Sequence, residues 1–317
     1  MRDGAPQAPT ATEPRVEQIS AAGLRWINIE RPGPIEQAWL EEHFDFHPLA
    51  YEDVASRNQR PKIDEFDDYL FIVLHFPVFD KNVGRLNAGE LDMFVGPDFL
   101  ITLPNTDLKS VEYLFERLRQ NEDMREQIFS QGSGYLLYRI VDTAFDYCFP
   151  MLSKIGNKLD RLEEEIFEGR SEEVVRDLSN VKLEILNFRK IIRPQRTVLR
   201  DLERTKHRYI ADDLEIYFDD IVDAIERIWD MLENFKEVVE ALEDTNETVI
   251  SHRVNNILRV LTSFSVVILP LTLIASIFGM NVRVPGEQNI TAFWVIIVSM
   301  VVMLVGMLAY FRHRRWL

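Results

Sequence analysis

The chain has a single cysteine, Cys148, so no intrachain disulfide can staple it. That cysteine sits in an apolar helical pattern and reads as a small core side chain rather than a reactive thiol. Basic residues are also in short supply: 36 Lys and Arg face 52 Asp and Glu, a formal net charge of −16. Nucleic-acid binding needs a cationic footprint to displace phosphate counterions, so this balance argues against a nucleic-acid partner and points to cations. Before Val260 no uncharged apolar run is long enough to cross a bilayer, and the first residues lack the apolar centre of a signal peptide. Residues 1–20, rich in Ala, Pro and Thr, read as a disordered leader of a chain that starts in the cytosol. An enzyme is not indicated. His43, His47, His75, His207, His252 and His313 lack metal-ligand spacing, and no phosphate-binding Lys follows Gly132-Ser133-Gly134.

What is present divides the chain. Residues 21–107 carry short mixed patterns that predict an α/β domain. Leu24–Ile29 alternates like a strand, and Ile35–Phe44 has helical spacing. Tyr69–Phe79 and Leu91–Leu103 read as strands, the latter broken by a Gly96-Pro97-Asp98 turn. Residues 108–212 read as a helical bundle with helices at Leu108–Arg119, Gly134–Glu168 and Ser171–Ile192. Pro194 is expected to end or kink the last of these. Between Asp213 and Phe278 there is no glycine, and Pro270 is the one proline. The stretch reads as one helix of roughly 100 Å at a rise of 1.5 Å per residue. Its apolar positions, including Ile221, Ile225, Ile228, Leu232 and Leu242, suit either a bundle within one chain or a stalk shared by several.

Val260–Phe278 and Ala292–Phe311 are uncharged and long enough to cross ~30 Å of hydrocarbon. The link between them, residues 279–291, is too short to be a domain, so the pair forms a hairpin with both ends on one side. Arg253 and Arg259 before it, and Arg312, Arg314 and Arg315 in the basic tail of residues 312–317, put that side in the cytosol. Both termini are then cytoplasmic and the loop faces outward. The first span carries Thr262, Ser263, Ser265, Thr272 and Ser276, a polar density suited to a water-filled path, whereas the second is suited to lipid. Two helices enclose no lumen, so a channel of this kind needs several copies around an axis.

At Phe278-Gly279-Met280-Asn281 the chain resembles the CorA family of magnesium channels, whose signature is Gly-Met-Asn directly after the first transmembrane helix. Asn255–Thr262 and Leu269-Pro270-Leu271-Thr272 are similar to that family's pore helix. Residues 47–54 (His-Pro-Leu-Ala-Tyr-Glu-Asp-Val), Arg60-Pro61-Lys62-Ile63 and the closing Trp316-Leu317 match it as well. The resemblance implies an α+β membrane protein: a homopentameric funnel with a cytosolic α/β domain, a helix bundle, a stalk helix entering the pore and a two-helix hairpin in the inner (plasma) membrane.

It also implies a selectivity filter at Gly279, Met280 and Asn281 that holds a hydrated ion. Asn255, Thr262 and Thr272 become polar pore-lining positions, and Leu258, Leu261 and Leu269 apolar constrictions. Asp244 and Asp53 would bind regulatory Mg²⁺ between subunits, with Glu52, Asp142 and Asp220 as a second such site. The leucines also read as packing residues, and the carboxylates as a solvated acidic face. Glu287 in the outer loop would attract cations while Arg283 would oppose them. The implied function is membrane-potential-driven influx of Mg²⁺, with Co²⁺ or Ni²⁺ as alternatives, gated by internal divalent cation. Two rivals stay open. One is a Zn²⁺ transporter of the same superfamily, against which Met280 argues; the other is a tail-anchored coiled-coil scaffold without transport.

Overall fold

A computed structural model describes residues 13–56, 60–80, 84–204, 210, 212–280 and 289–314. They fall into two compact units, Met1–Glu164 with Arg176–Leu242, and Glu165–Val175 with Glu243–Leu317.

In the first unit the chain begins with strands β1 (Glu17–Ala21) and β2 (Leu24–Asn28), followed by helices α1 (Pro34–His43) and α2 (Pro48–Ser56). Strands β3 (Lys62–Glu65), β4 (Leu70–Asp80), β5 (Arg85–Val95) and β6 (Phe99–Pro104) come next. They form one sheet in the order β1-β2-β6-β5-β4-β3, antiparallel except where β2 pairs with β6. One face carries Ile27, Phe71, Val73, Phe94, Ile101 and Leu103 against Leu40 of α1 and Ala50 and Val54 of α2. The other face meets α3 (Lys109–Gln120) and α5 (Ser133–Asp146). There Trp26 meets Phe115 edge-on at 5.0 Å and Phe76 meets Phe145 at 5.1 Å. Between those helices, α4 (Glu122–Phe129) starts at Asn121, whose side chain accepts from the Met124 N–H.

Side chains finish the ladder where strands stop. Beyond β6, Asn105 accepts the Glu90 N–H through its side chain and donates its own N–H to the Glu90 carbonyl. Beyond β3, whose pairing with β4 ends at Val73, the fully buried Gln195 takes both backbone groups of His75. Its Oε1 accepts the His75 N–H at 2.8 Å and its Nε2 donates to the His75 carbonyl.

The remaining helices are α6 (Cys148–Phe167), α7 (Ser171–Arg204), α8 (Glu215–Phe278) and α9 (Ile290–His313). Near its start α8 is held to α7 by Trp229, which lies between the guanidinium groups of Arg189 and Arg196 at 4.7 and 4.8 Å. Those arginines pair with Glu233 and Glu226, one turn to either side of Trp229. The clamp therefore fixes the axial register of the two helices as well as their contact. In the second unit, Arg253 of α8 donates to the Gly169 carbonyl in the α6–α7 turn.

Two expectations are corrected, and of the two outcomes expected at Pro194 one is excluded. Glu17–Ser20, assigned to the leader, lie in β1, because Ala22 and Gly23 both take positive φ and close a two-residue hairpin. The helix expected over Gly134–Glu168 is two helices parted at Tyr147. Pro150 offers no N–H to the carbonyl of Asp146, where α5 ends. Pro194 does not end its helix; α7 runs through it to Arg204. Ile191, Ile192, Gln195 and Leu199 are buried on both sides of the proline, so burial outweighs the one lost backbone bond.

Candidate functional site

The membrane-spanning end of α8 and the whole of α9 are long, apolar and almost entirely exposed within the single chain. Asn255, Leu258, Leu261, Thr262, Leu269 and Thr272 are all exposed on α8. At 3.6 residues per turn they fall within about a third of the helix circumference. Ser263 and Val267, on the far side, are buried. The hydroxyls of Ser263, Ser265 and Thr272 donate to carbonyls one turn back, at Arg259, Leu261 and Ile268. Each hydroxyl thus satisfies its proton within the helix, and those of Ser265 and Thr272, which are exposed, keep oxygen lone pairs free to accept. At the top of α8, Gly279 donates its N–H to Ala275 at 2.9 Å. A Cβ there would lie 3.1 Å from the Ala275 carbonyl oxygen, so glycine suits this tight exit from the helix. Met280 is exposed; Asn281 and Glu287 lie outside the described residues.

The acidic residues divide between the two units. Asp244 of α8 is exposed, and with Glu247, Thr248, Ser251 and His252 it borders an open hollow of about 440 Å³. In the first unit Asp53, at the end of α2, accepts from Lys62 Nζ at 2.6 Å, while Glu52 beside it is exposed. Asp142 of α5 accepts from Arg139 at 3.0 Å. Burial, and then the negative charges of Asp146 and Asp220 against the opposing Arg139, raise its carboxyl to about 6. The structure thus brings Asp142 and Asp220 into one electrostatic neighbourhood and adds Asp146, which sequence reading passed over. Among the described residues no three Asp, Glu, His or Cys side chains of the single chain stand together as a metal site.

Sequence reading also missed two buried carboxylates on β5, Glu90 and Asp92. Asp92 faces the same side of the sheet as Phe94, and its Oδ1 has no hydrogen-bond partner. Burial, and then the charges of Glu90 and Asp53, hold its carboxyl well above the usual range against the pull of Lys62. Alternation along β5 put these acids on the core face, but nothing local in sequence says that such a face has no solvent. Cys148 is buried at the start of α6, and that burial pushes its thiol up, as a packing role requires.

The elevated carboxyl of Asp142 has a measurable consequence. Its folded pKa lies above the unfolded one, so its stabilising contribution is complete below about pH 4 and is lost as pH rises through 6. Allowing for solvent screening, about 1–2 kcal/mol is at stake. Asp142→Asn is expected to remove this limb and to stabilise the detergent-solubilised chain by that amount at neutral pH, measured by chemical denaturation from pH 4 to 7.

A family model, described as CorA-like Mg²⁺ transporter protein, matches residues 21–314. The chain belongs to the CorA-like family. It is 32% identical over 296 residues to the cobalt/magnesium transport protein CorA of Thermotoga maritima, covering 92% of this chain and 83% of that CorA. It is 19% identical to the zinc transport protein ZntB of Yersinia enterocolitica, over 92% of this chain and 88% of ZntB. In structure it matches the complete CorA magnesium transporter from Methanocaldococcus jannaschii with a TM-score of 0.83. That match covers 97% of this chain and 96% of the other at 22% sequence identity. The fold is that of CorA: a soluble α/β part, a long helix and two C-terminal apolar helices. The chain is accordingly a CorA-family divalent cation transporter of the membrane.

Proposed function

We propose that the chain assembles around an axis into a channel for hydrated Mg²⁺, with α8 lining the pore. The observation that carries this reading is the exposed end of α8, on which Asn255, Leu258, Leu261, Thr262, Leu269 and Thr272 share an arc of about a third of the circumference, and which leads directly into Gly279 and Met280. A single hairpin has no lumen, so the arc acquires a purpose when copies present it to a common axis; five copies is what the family resemblance implies. Asn281 would then complete a ring of neutral amide oxygens with the Gly279 carbonyls. Such a ring suits an ion that holds its octahedral water shell tightly, because it need only bind the waters. Leu258, Leu261 and Leu269 would form apolar levels that exclude water when the helices close in.

In the inner (plasma) membrane with both termini cytoplasmic, an inside-negative potential of ~100 mV is worth about 4.6 kcal/mol for a divalent ion. That gradient drives accumulation by roughly three decades without nucleotide. Glu287 would draw cations to the outer mouth. Regulation would come from carboxylates that repel one another across subunits until a cation joins them: Asp53 with Asp244, and Glu52, Asp142 and Asp220. The likeness to both the cobalt/magnesium and the zinc transport proteins makes zinc the second reading.

The test is uptake of Mg²⁺, Co²⁺, Ni²⁺ and Zn²⁺, each separately, into proteoliposomes held inside-negative. The expected result is Mg²⁺ entry that tracks the potential and falls as internal Mg²⁺ rises. Entry of Zn²⁺ alone, dependent on a proton gradient, would transfer the chain to the zinc reading. No flux of any cation from a folded oligomer would leave a scaffold.

A further inference from the structure

Lys62 opens β3, where its partner across the ladder is Val73 of β4, so its stem lies on the sheet face covered by α2. Its ammonium touches two carboxylates at once, Asp53 of α2 and Asp64 of its own strand, each at 2.6 Å. It also stands 5.5 Å from the centre of the Phe71 ring. Both of its partners keep the lysine charged, against the desolvation that opposes them. The Asp53 side chain is only 19% exposed and the Lys62 side chain 31%, so the pair is partly withdrawn from solvent screening. A cation approaching Asp53 meets a carboxylate already occupied by a cation of this chain.

We propose that Lys62 is a tethered counter-ion that occupies Asp53 until a divalent cation displaces it, and that Asp64 is the berth to which it withdraws. The inference rests on the reading of Asp53 as a regulatory ligand. Displacement costs little because Lys62 gives up one of two ion pairs and keeps its contact with Phe71. The lysine therefore sets how much divalent cation is needed at Asp53 without abolishing binding. Without it, Asp53 would be an unpaired and partly buried carboxylate whenever the metal leaves, with the buried Asp92 and Glu90 behind it on β5. A single charge tethered nearby avoids that state and makes the exchange with metal a near-balanced one.

Mg²⁺ binding to the detergent-solubilised full chain, by equilibrium dialysis and by Mg²⁺-dependent protection from proteolysis, tests this without relying on flux. Lys62→Met keeps the apolar stem and is expected to tighten binding roughly three- to ten-fold, the scale of one partly screened ion pair. Lys62→Gln should do the same. Asp64→Asn confines the lysine to Asp53 and should weaken binding to a similar degree. The decisive variant is the double one: in the Lys62→Met background, Asp64→Asn should have little effect, since the withdrawal it blocks no longer occurs. Equal effects of Asp64→Asn in both backgrounds would mean a general electrostatic field and would overturn the proposal. An unchanged affinity in both lysine variants would overturn it as well. Should Asp53→Asn leave Mg²⁺ binding intact, the assignment of Asp53 as a ligand fails, a result separable from the other two.

Discussion

Asn281→Ala is expected to abolish Mg²⁺ uptake in proteoliposomes while leaving the oligomer folded. The residue follows Gly279 and Met280 directly at the end of the α8 exit, and in the proposed assembly every copy contributes one amide to the ring. Each amide lost removes a hydrogen bond to the ion's water shell worth about 0.5–1.5 kcal/mol, and the loss repeats with each subunit. The combined effect is a fall of about two decades or more at fixed potential. Gly279→Ala should also impair uptake, since its Cβ would crowd the Ala275 carbonyl at the turn. Undiminished Mg²⁺ flux through Asn281→Ala would remove the filter from this position.

Gln195→Ala should produce the largest loss of stability of any single change described here. The Gln195 side chain is fully buried and satisfies the N–H and the carbonyl of His75, and it also donates to the Ile191 carbonyl at 3.0 Å. Alanine supplies none of these bonds, and leaving buried backbone groups unpaired costs about 1–3 kcal/mol each. The expected destabilisation is about 2–4 kcal/mol, seen as a lower denaturation midpoint with the slope unchanged. Gln195→Glu, which keeps one acceptor for the His75 N–H, should recover part of it. A midpoint within ~0.5 kcal/mol of the native chain would mean that another group takes over this edge of β4.

The helix that carries Gln195 also illustrates what could be read in advance. Pro194 carried a local signal, an end or a kink, and the helix does not end there because residues on both sides of it are buried. The proline at position 150 acted in the opposite sense: it lies in the first turn of α6, where a helix tolerates proline, and it marks the division from α5. Identical chemistry gives opposite outcomes because the decision rests on what packs around the residue. Likewise Glu17–Ser20 directly follows the stretch rich in Ala, Pro and Thr and was read with it, yet Ile19 is buried once the Ala22–Gly23 turn lays the strand beside β2.

The pore segment lies at the other extreme. The length of the Val260–Phe278 span and its lack of charge and of glycine are local properties that mark it directly, whereas the pore-lining face from Asn255 to Thr272 is what the family resemblance implies. Family membership likewise followed from contiguous motifs.

By itself, then, the amino-acid sequence determined the elements whose physics is local: two apolar spans, the uninterrupted α8, the strands with alternating apolar residues and the acidic surface. Only the tertiary structure decided which carboxylates lose their solvent, which cation stands at Asp53, and which side chains complete the sheet where its strands end. Those outcomes join residues as far apart as His75 and Gln195, or Asp53, Lys62 and Asp92. Charge, burial and hydrogen bonding depend on distance in space, and sequence separation carries no record of it until the chain has folded.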